Sequence, residues 1–281
     1  MELFRTIKGL EQALCGDRKQ SLTVGFVPTM GALHDGHLSL VRRAACENDK
    51  VVVSLFVNPT QFNDPNDLKN YPRNMEADME LLGTVSCDYV FSPEVEEIYP
   101  EPDNRKFDFG TLENVMEGRF RPGHFNGVAQ VVSKLFEIIQ PDNAYFGLKD
   151  FQQYSIVKRM VTEMKLPVNI IACETVREVD GLARSSRNKL LSSEHRSVAP
   201  QIYRILQEAR SEATLFTPEE VKNRVAGKFQ NEPLLRLEYF DIVDDTNLET
   251  ISSWNQKGKK VGCVAVFAGT VRLIDNIVFD Q

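Results

Sequence analysis

The sequence of 281 residues contains no apolar run that approaches the length of a membrane-spanning helix. Its first residues, Met1–Lys8, are too polar for a secretory signal peptide. The five cysteines are an odd number, are scattered along the chain and include no C-x-x-C pair, so neither a disulfide framework nor a zinc site is expected. Together these absences predict a cytoplasmic protein that has no membrane partner.

Basic charge is also scarce in this sequence. The 33 Lys and Arg residues face 40 acidic residues, the net charge is −7, and no segment is basic enough for a nucleic-acid face. Because phosphate neutralisation dominates nucleic-acid binding, we expect no nucleic acid among the partners. The sequence also lacks a Walker A loop, a G-x-G-x-x-G motif and a G-x-S-x-G elbow, which disfavours P-loop kinases, Rossmann dehydrogenases and α/β-hydrolases.

The first part of the chain, residues 1–175, alternates short β-rich runs with helical patterns. We predict strands at Leu22–Val27, Val51–Val57, Tyr89–Phe91, Ala144–Phe146 and Val168–Ala172. We predict helices at Leu38–Asn48, Met75–Gly83, Val128–Ile139 and Phe151–Met164. Several of the strands are continuously apolar, as parallel strands covered on both faces are. The alternation therefore predicts a doubly wound, Rossmann-like α/β fold with a parallel sheet.

The pattern changes in the remaining residues, 176–281. A helix is predicted at Ser193–Ala213, and a second one begins at Thr217-Pro-Glu-Glu220, which has the form of a capping box. Three strand-like runs follow, and they alternate apolar and polar residues: Arg236–Val243, Val261–Phe267 and Val271–Phe279. We predict a smaller α+β domain whose antiparallel sheet has one solvated face.

The most informative motif is His34-Asp35-Gly36-His37, directly after the first predicted strand. A spacing of three residues on a first helical turn brings both imidazoles to one side, where the helix also presents free backbone N–H groups. Such a pair can donate hydrogen bonds to phosphate oxygens. The motif predicts a nucleotide phosphate site, and two capping or surface histidines are the alternative.

Two other motifs follow predicted strands, namely Asn58-Pro-Thr-Gln61 and Gly147-Leu-Lys-Asp150. Because parallel α/β sheets bind ligands outside the carboxyl ends of their strands, we expect them to share one rim with the histidines. Gln61 is suited to a carboxylate or hydroxyl, although an Asn-Pro turn explains its motif equally well. Lys149 can serve as a point charge for phosphate or be a solvated surface lysine, and Asp150 is a good helix N-cap.

Three polar segments complete the set of candidates. Ser185-Ser186-Arg187 offers two hydroxyls and a guanidinium that can cradle the β- and γ-phosphates, and its local alternative is a polar linker. Arg121-Pro-Gly-His124 can meet an anion at a helix entry or form a structural turn. The polar tract at residues 63–74 is too long for a plain connection and predicts a mobile cover over the site.

Taken together, these motifs resemble the pantothenate synthetases, also called the pantoate–β-alanine ligase family. The similarity runs in order over nearly the whole chain and extends to Arg272-Leu-Ile-Asp-Asn276. That family belongs to the nucleotidyltransferase superfamily with the H-x-G-H motif, together with class I aminoacyl-tRNA synthetases and cytidylyltransferases. The resemblance implies ATP-dependent condensation of (R)-pantoate with β-alanine, giving pantothenate, AMP and diphosphate through a pantoyl-adenylate, on the route to coenzyme A. It also implies Mg²⁺ and a homodimer.

The resemblance further implies roles for particular residues of this sequence. The catalytic set would be His34, His37, Lys149, Ser185, Ser186 and Arg187, with His37 as proton donor. The ATP-binding set would be Met30, Gly31, Ala32, Leu33, His34, Asp35, Gly36, His37, Gly147, Leu148, Lys149, Asp150, Val176, Arg184, Ser185, Ser186 and Arg187. Gln61 and Gln153 would hold pantoate, and Gln61 would also face β-alanine. A closing second domain would shield the adenylate from water.

Three positions depart from the family pattern. Leu148 replaces the polar residue that is common before the lysine, and Arg184 replaces the usual Met or Leu before Ser-Ser-Arg. Ala77 stands where relatives often have an acid, so no protein ligand is assigned to magnesium. Two rival functions remain at this point: a cytidylyltransferase, which uses CTP and forms no AMP, and a non-catalytic nucleotide sensor or tRNA-binding module, which releases no pyrophosphate.

Overall fold

The computed structural model describes residues 1–63 and 65–279, except for the side chain of Asp67. Its backbone contacts divide the chain into two units. Unit 1 comprises Met1–Phe109, Arg121–Leu148 and Ile156–Glu174, whereas unit 2 comprises Gly110–Phe120, Lys149–Ser155 and the chain from Thr175 onward. The sequence pattern predicts a single boundary, at residue 175. Two short segments of the first part of the chain, Gly110–Phe120 and Lys149–Ser155, also belong to unit 2, and no change in the sequence pattern marks them.

Unit 1 is built on a six-stranded sheet in which every neighbouring pair is parallel. Its strands are β1 (Glu2–Phe4), β2 (Val24–Thr29), β3 (Lys50–Leu55), β4 (Tyr89–Phe91), β5 (Asn143–Gly147) and β6 (Asn169–Cys173). The spatial order is β1-β4-β3-β2-β5-β6, so the strand order reverses between β2 and β5. The predicted doubly wound α/β fold is confirmed, and its ligand-binding crevice is expected beside the carboxyl ends of those two strands.

The helices are α1 (Ile7–Lys19), α2 (Asp35–Glu47), α3 (Pro65–Asn70), α4 (Met75–Leu82), α5 (Val95–Ile98), α6 (Met116–Phe120), α7 (His124–Ile139), α8 (Phe151–Met164), α9 (Ser193–Val198), α10 (Gln201–Glu212) and α11 (Pro218–Gln230). Short 3-10 turns lie at Pro59–Gln61, Gly110–Glu113, Leu148–Asp150 and Ser186–Leu190. Among the described residues no helix is long and apolar enough to cross a bilayer. The polar tract at 63–74 contains α3, and its Asp64 lies outside the described residues.

Helices cover both faces of the parallel sheet. Successive strand residues point to opposite faces, so Phe26 and Val27 of β2 face different layers. Val27 packs with Val41 of α2 in one buried cluster, whereas Phe26 meets Phe136 of α7 edge to face at 6.2 Å between ring centroids. Burial on both sides explains why β2 and β3 are almost continuously apolar in sequence.

Unit 2 contains an antiparallel sheet in the order β7 (Leu235–Asp244), β8 (Lys260–Ala268) and β9 (Val271–Phe279). One face packs against α10 and α11 in a single apolar cluster. The predicted solvated second face is wrong, because Cys263 and Ala265 point to that side and are buried. The segments 110–120 and 149–155 supply contacts on this face, including those of Glu117 with Arg272.

Two helix predictions also need correction. The single helix Ser193–Ala213 is in fact α9 and α10, since Pro200 between them has no backbone N–H to donate. Helices α2 and α7 begin three or four residues earlier than predicted, at Asp35 and His124. The predicted capping box is confirmed: the Thr217 hydroxyl accepts from the backbone N–H of Glu220, whose carboxylate accepts from the backbone N–H of Thr217.

Candidate active site

The histidine motif forms the first turn of α2. His34 is the N-cap, and its Nδ1 accepts a hydrogen bond from the backbone N–H of Gly36 at 3.1 Å. The rings of His34 and His37 are stacked, with 4.0 Å between their centroids and 25° between their planes. The two imidazoles therefore do share one side, as predicted. The helix begins at Asp35 rather than Leu38 because the ring of His34 itself supplies the cap.

The cap determines which nitrogen of His34 is the donor. Because Nδ1 accepts a hydrogen bond, the proton of the neutral ring must be on Nε2. Capping uses Nδ1 and donation to an oxygen anion uses Nε2, so one ring can do both. The capping alternative is correct for His34, and it does not exclude a phosphate contact.

The loop that leads to the histidines is held by a buried carboxylate. Asp78 of α4, which is 4 % exposed, accepts from the backbone N–H of Ala32 at 2.9 Å and of Leu33 at 2.7 Å. Gly31 and Ala32 both have positive φ values, +80° and +50°, in the region that disfavours side chains. A Cβ on Gly31 would also lie 2.9 Å from Oδ2 of Asp78. The carboxylate thus fixes a loop conformation that the backbone alone would not prefer.

Gln61 lies in the 3-10 turn that follows β3, and it is buried. Its Nε2 donates to Sδ of Met30 at 3.0 Å, and its Oε1 accepts from Nδ2 of Asn58 at 3.3 Å. The ends of two neighbouring parallel strands, β2 and β3, are thereby joined through side chains that the sequence analysis assigned to ligand binding. The turn that Asn58-Pro predicts is confirmed, and ligand binding by Gln61 stays a prediction.

The first turn of α7 packs against the turn that contains Gln61. His124 is 5 % exposed, and its Nδ1 lies 2.8 Å from the backbone carbonyl oxygen of Gln61. Gly127 packs so closely that a Cβ there would lie 2.3 Å from the carbonyl oxygen of Thr60. The structural interpretation of the Arg121-Pro-Gly-His124 motif is therefore correct for His124. Its partner, Gln61, is a candidate ligand-binding residue.

In unit 2, Lys149 follows β5 within a 3-10 turn. Its side chain is only 18 % exposed and lies 3.7 Å from the Asp150 carboxylate, so it is not a solvated surface lysine. Asp150 is the last residue of that turn and directly precedes α8. In the first turn of α8, Gln152 is buried and bonded to the backbone of Leu112 and Val115, whereas Gln153 remains half-buried.

A short hairpin leads into Ser185-Ser186-Arg187. Arg177 pairs with Ala183, the Arg184 N–H donates to the Val176 carbonyl at 2.9 Å, and Gly181 has a φ of +95° at the turn. The Ser185 hydroxyl oxygen accepts from the backbone N–H of Arg187 at 3.3 Å, so its own hydrogen is left to donate elsewhere. Nη1 of Arg184 lies 3.5 Å from Oε2 of Glu178 within the hairpin. Arg184, which departs from the family pattern, thus has an ion-pair partner in this chain.

The candidate residues fall into two sets. Unit 1 carries Met30 to His37, Gln61, Gly147 and Leu148, and it brings Gln61 against Met30 and His34 against His37. Unit 2 carries the remaining candidates, which are Lys149, Asp150, Gln153, Val176 and Arg184 to Arg187. Asp78 is not among the predicted site residues, and its one signal in the sequence is an acid directly after Ala77.

The described residues contain no group of three or more His, Cys, Asp or Glu side chains that could hold a metal ion. Asp78, the acid beside Ala77, already accepts two backbone hydrogen bonds. Mg²⁺ prefers phosphate oxygens, waters and only one or two carboxylates. No protein ligand for Mg²⁺ is therefore assigned among the described residues.

The six-stranded parallel sheet, with a histidine-capped helix directly after β2, defines a Rossmann-like α/β protein. The family model for pantoate-beta-alanine ligase matches residues 2–278. The pantothenate synthetase of Porphyromonas gingivalis is 53 % identical over 281 residues and all of both chains, and that of Bacteroides thetaiotaomicron is 52 % identical over the same span. The chain belongs to the pantoate–β-alanine ligase family.

Solved structures agree with this assignment. Pantothenate synthetase from Thermus thermophilus superposes with a TM-score of 0.92 at 44 % identity and 99 % coverage of both chains. Pantoate–β-alanine ligase from Francisella tularensis, described as a complex with beta-gamma ATP and β-alanine, has a TM-score of 0.84 at 38 % identity, with 100 % of this chain and 98 % of that chain covered.

Proposed function

We propose that this chain catalyses the ATP-dependent condensation of (R)-pantoate with β-alanine, forming pantothenate, AMP and diphosphate. The full-length family match and the Francisella relative with its ATP and β-alanine ligands support this reaction. The observation that carries it is the stacked pair of His34 and His37, in which the cap on Nδ1 makes Nε2 of His34 a donor. A donor fixed at a helix N-terminus is suited to oxygens on which negative charge grows.

In the first step, a carboxylate oxygen of pantoate attacks the α-phosphorus of ATP, and the bond from that phosphorus to pyrophosphate breaks. The products are pantoyl-adenylate and pyrophosphate. Two anions must approach each other, so the site has to neutralise charge during the attack. On the family resemblance, we assign this task to His34, His37, Lys149 and Arg187.

In the second step, the neutral amine of β-alanine attacks the acyl carbon, the bond from that carbon to the AMP oxygen breaks, and the nitrogen loses a proton. The acyl carbon is already activated, so the residues mainly have to align the two reactants. Gln61 is suited to this work because its turn is fixed by Asn58 and His124. We propose that it binds pantoate and faces β-alanine, and that Gln153 also holds pantoate.

We propose that pantoate reaches Gln61 by replacing its contact with Met30. A thioether is a weak hydrogen-bond acceptor, whereas a carboxylate or hydroxyl oxygen is a strong one. The Nε2 donor of Gln61, now 3.0 Å from Sδ of Met30, can therefore exchange the sulfur for an oxygen of pantoate at little cost.

The phosphates of ATP are assigned to unit 2. Ser185 keeps a hydroxyl hydrogen to donate, and Lys149 is held with low exposure beside Asp150. We propose that Ser185, Ser186, Arg187 and Lys149 bind the β- and γ-phosphates and follow the departing pyrophosphate. Mg²⁺ enters as part of the ATP substrate. A homodimer and a cytoplasmic location are part of the same proposal and rest on the family resemblance and the sequence.

The test is pantoate-dependent exchange of labelled pyrophosphate into ATP, measured without β-alanine. The proposal predicts exchange by the wild-type chain and a fall of about 10²-fold or more in His37→Ala and Lys149→Ala, as loss of a transition-state donor typically gives. Exchange that needs no pantoate, or near-normal rates in both variants, contradicts it. Supplying CTP in place of ATP tests the cytidylyltransferase alternative in the same assay.

A further inference from the structure

We propose that Asp275 and Asn276, adjacent residues of β9, are positioning residues for the phosphate-binding half of the active site. Asn276 holds the backbone at Lys149, and Asp275 holds the hairpin that leads into Ser185-Ser186-Arg187. The inference rests on the proposed function, because it takes Lys149 and Arg187 to act on ATP.

Asn276 fixes the turn that carries Lys149. Its Nδ2 donates to the backbone carbonyl oxygen of Lys149 at 3.0 Å, and the residue is 9 % exposed. A bond to the backbone restrains the Cα of Lys149 and leaves its ammonium group available to a ligand. Lys149 lies two residues beyond the end of β5, so its turn needs an anchor of this kind to hold one conformation.

Asp275 fixes the hairpin through Arg177. The two side chains form a bidentate pair, with distances of 2.6 and 3.0 Å from the guanidinium nitrogens to the carboxylate oxygens. Arg177 also donates to the carbonyl of Gly181 at 3.2 Å and stacks on the ring of Tyr203 at 3.4 Å. The guanidinium on the first strand of the hairpin thus links β9 to the turn at Gly181, and the second strand, which pairs with Arg177, continues into Ser185.

A β-strand can serve both anchors because successive side chains point to opposite faces. Asp275 shares its face with Leu273 and Ile277, which are in the apolar cluster beneath α10 and α11, and Asn276 points to the other face. Both residues are in register with β8, opposite Val264 and Cys263, so neither can shift alone. One rigid strand therefore sets the position of Lys149 relative to the Ser185–Arg187 strip.

Stability alone does not explain why the Arg177–Asp275 ion pair lies at a buried position. Asp275 is 4 % exposed on an otherwise apolar face, where a buried ion pair is often no more stabilising than a well-packed hydrophobic pair. A planar fork against a carboxylate, however, fixes both distance and orientation. Geometric control of the hairpin accounts for this pair better than a gain in stability does.

The first test is Asn276→Asp, which keeps the shape of the side chain but removes the donor to Lys149. We expect kcat/KM for ATP to fall about 10- to 100-fold, the range associated with displacement of a reacting group by up to 1 Å. Asn231→Asp, at the exposed C-cap of α11, makes the same chemical change away from the site and should leave kcat/KM unchanged.

The readout specific to positioning is a double-mutant cycle in kcat/KM. In a Lys149→Ala background, Asn276→Asp should lower kcat/KM by less than about twofold, because the group that it positions is absent. Its effect on the melting temperature should be the same in both backgrounds. If Asn276→Asp lowers kcat/KM by the same factor with and without Lys149, the Asn276 part of the proposal is wrong.

The second test is Asp275→Asn. If that variant does not fold, Arg177→Lys is used in its place. Lysine keeps the charge but cannot make the bidentate contact. Each folded variant should lower kcat/KM for ATP about tenfold or more, and this loss should largely disappear in an Arg187→Ala background. A normal kcat/KM for ATP in either folded variant refutes the Asp275 part.

Failure of this inference can be told apart from failure of the proposed function. If Lys149→Ala and Arg187→Ala both retain wild-type exchange of pyrophosphate, the site assignments themselves are wrong. If those variants lose exchange while the β9 variants do not, only the positioning roles of Asp275 and Asn276 are wrong.

Discussion

Replacing Gly127 by alanine tests whether the α7 entry sets the position of Gln61. The added Cβ would lie 2.3 Å from the carbonyl oxygen of Thr60 and 2.8 Å from Cα of Gln61, where ordinary contact begins near 3.4 Å. The difference for the oxygen is about 1.1 Å. Because the obstructing atoms are backbone, no side-chain rotation can relieve the contact. Either α7 or the Pro59–Gln61 turn must move.

Gly127→Ala should change the folding free energy and the catalytic rate by different amounts. Alanine in a helix interior gains about 1 kcal/mol over glycine, whereas overpacking costs about 1–3 kcal/mol, so the folding free energy should fall by about 0–2 kcal/mol. A displacement of about 1 Å in a substrate-binding group costs up to about 10²-fold in rate. Gly127→Ala should therefore lower kcat/KM for pantoate strongly, while the free energy of unfolding falls only a little.

The assay is steady-state kinetics with varied pantoate, together with urea denaturation of the same preparations. The matched control is Gly16→Ala in α1, an exposed helical position where a Cβ would have no other atom within 4 Å. The control should gain up to about 1 kcal/mol of stability and keep wild-type kinetics. A Gly127→Ala enzyme with unchanged kcat/KM for pantoate would refute the role given to this helix entry.

Three further outcomes are expected. Asp78→Asn removes one of two acceptors for the Ala32–Leu33 loop and should lower pyrophosphate exchange at least tenfold, while Glu76→Gln at the start of the same helix should not. Hydrogen bonds from Arg224 hold the pKa of Glu212 below its usual 4.5, so Glu212→Gln should lower the melting temperature at pH 7. In thermal scans this deficit should begin to shrink as the pH falls below about 4.5 and should vanish only below the lowered pKa of the folded state. Thr217→Ala removes the capping-box hydroxyl and should cost about 1 kcal/mol in urea denaturation.

The sequence predicts the elements whose signals are local. Continuous apolar runs indicate parallel strands covered on both sides, and the bounds of the parallel strand β4 agree with the structure residue for residue. The alternating run predicts the bounds of the antiparallel strand β9 equally well. The capping box at Thr217 is equally local, since four adjacent residues contain all of its hydrogen-bonding groups. The break at Pro200 was also readable from the sequence, because proline inside a helical pattern ends the helix.

The remaining features depend on contacts between distant residues or on unusual chemistry. Asp78 reaches the Ala32 loop across 46 positions, and no pattern within either segment indicates this contact. His34 caps α2 with a ring nitrogen, which lies outside the usual Ser, Thr, Asp and Asn signals, so the helix start was misplaced. The second face of the antiparallel sheet was expected to be solvated because polar residues alternate with apolar ones along its strands, but Arg272 on that face pairs with Glu117.

That Glu117–Arg272 pair shows why alternation alone misled. Burial by itself would lower the pKa of Arg272, but hydrogen bonds and charges from Glu117 and Glu238 outweigh this and raise it, so the guanidinium stays charged. Tyr239, whose hydroxyl donates to Glu117, is also buried, and its pKa is raised well above the usual value by burial and by that carboxylate. Polar residues on an alternating strand can thus face a buried ion-pair network as well as water.

The most direct measurement follows the carboxylate oxygen of pantoate. With pantoate labelled by ¹⁸O in its carboxylate, attack on the α-phosphorus and later cleavage at the acyl carbon must leave one labelled oxygen in AMP. Mass spectrometry of AMP after complete turnover is predicted to show this single transfer, with unlabelled pyrophosphate. Label in pyrophosphate or orthophosphate, or unlabelled AMP, would contradict the adenylate chemistry assigned to this site.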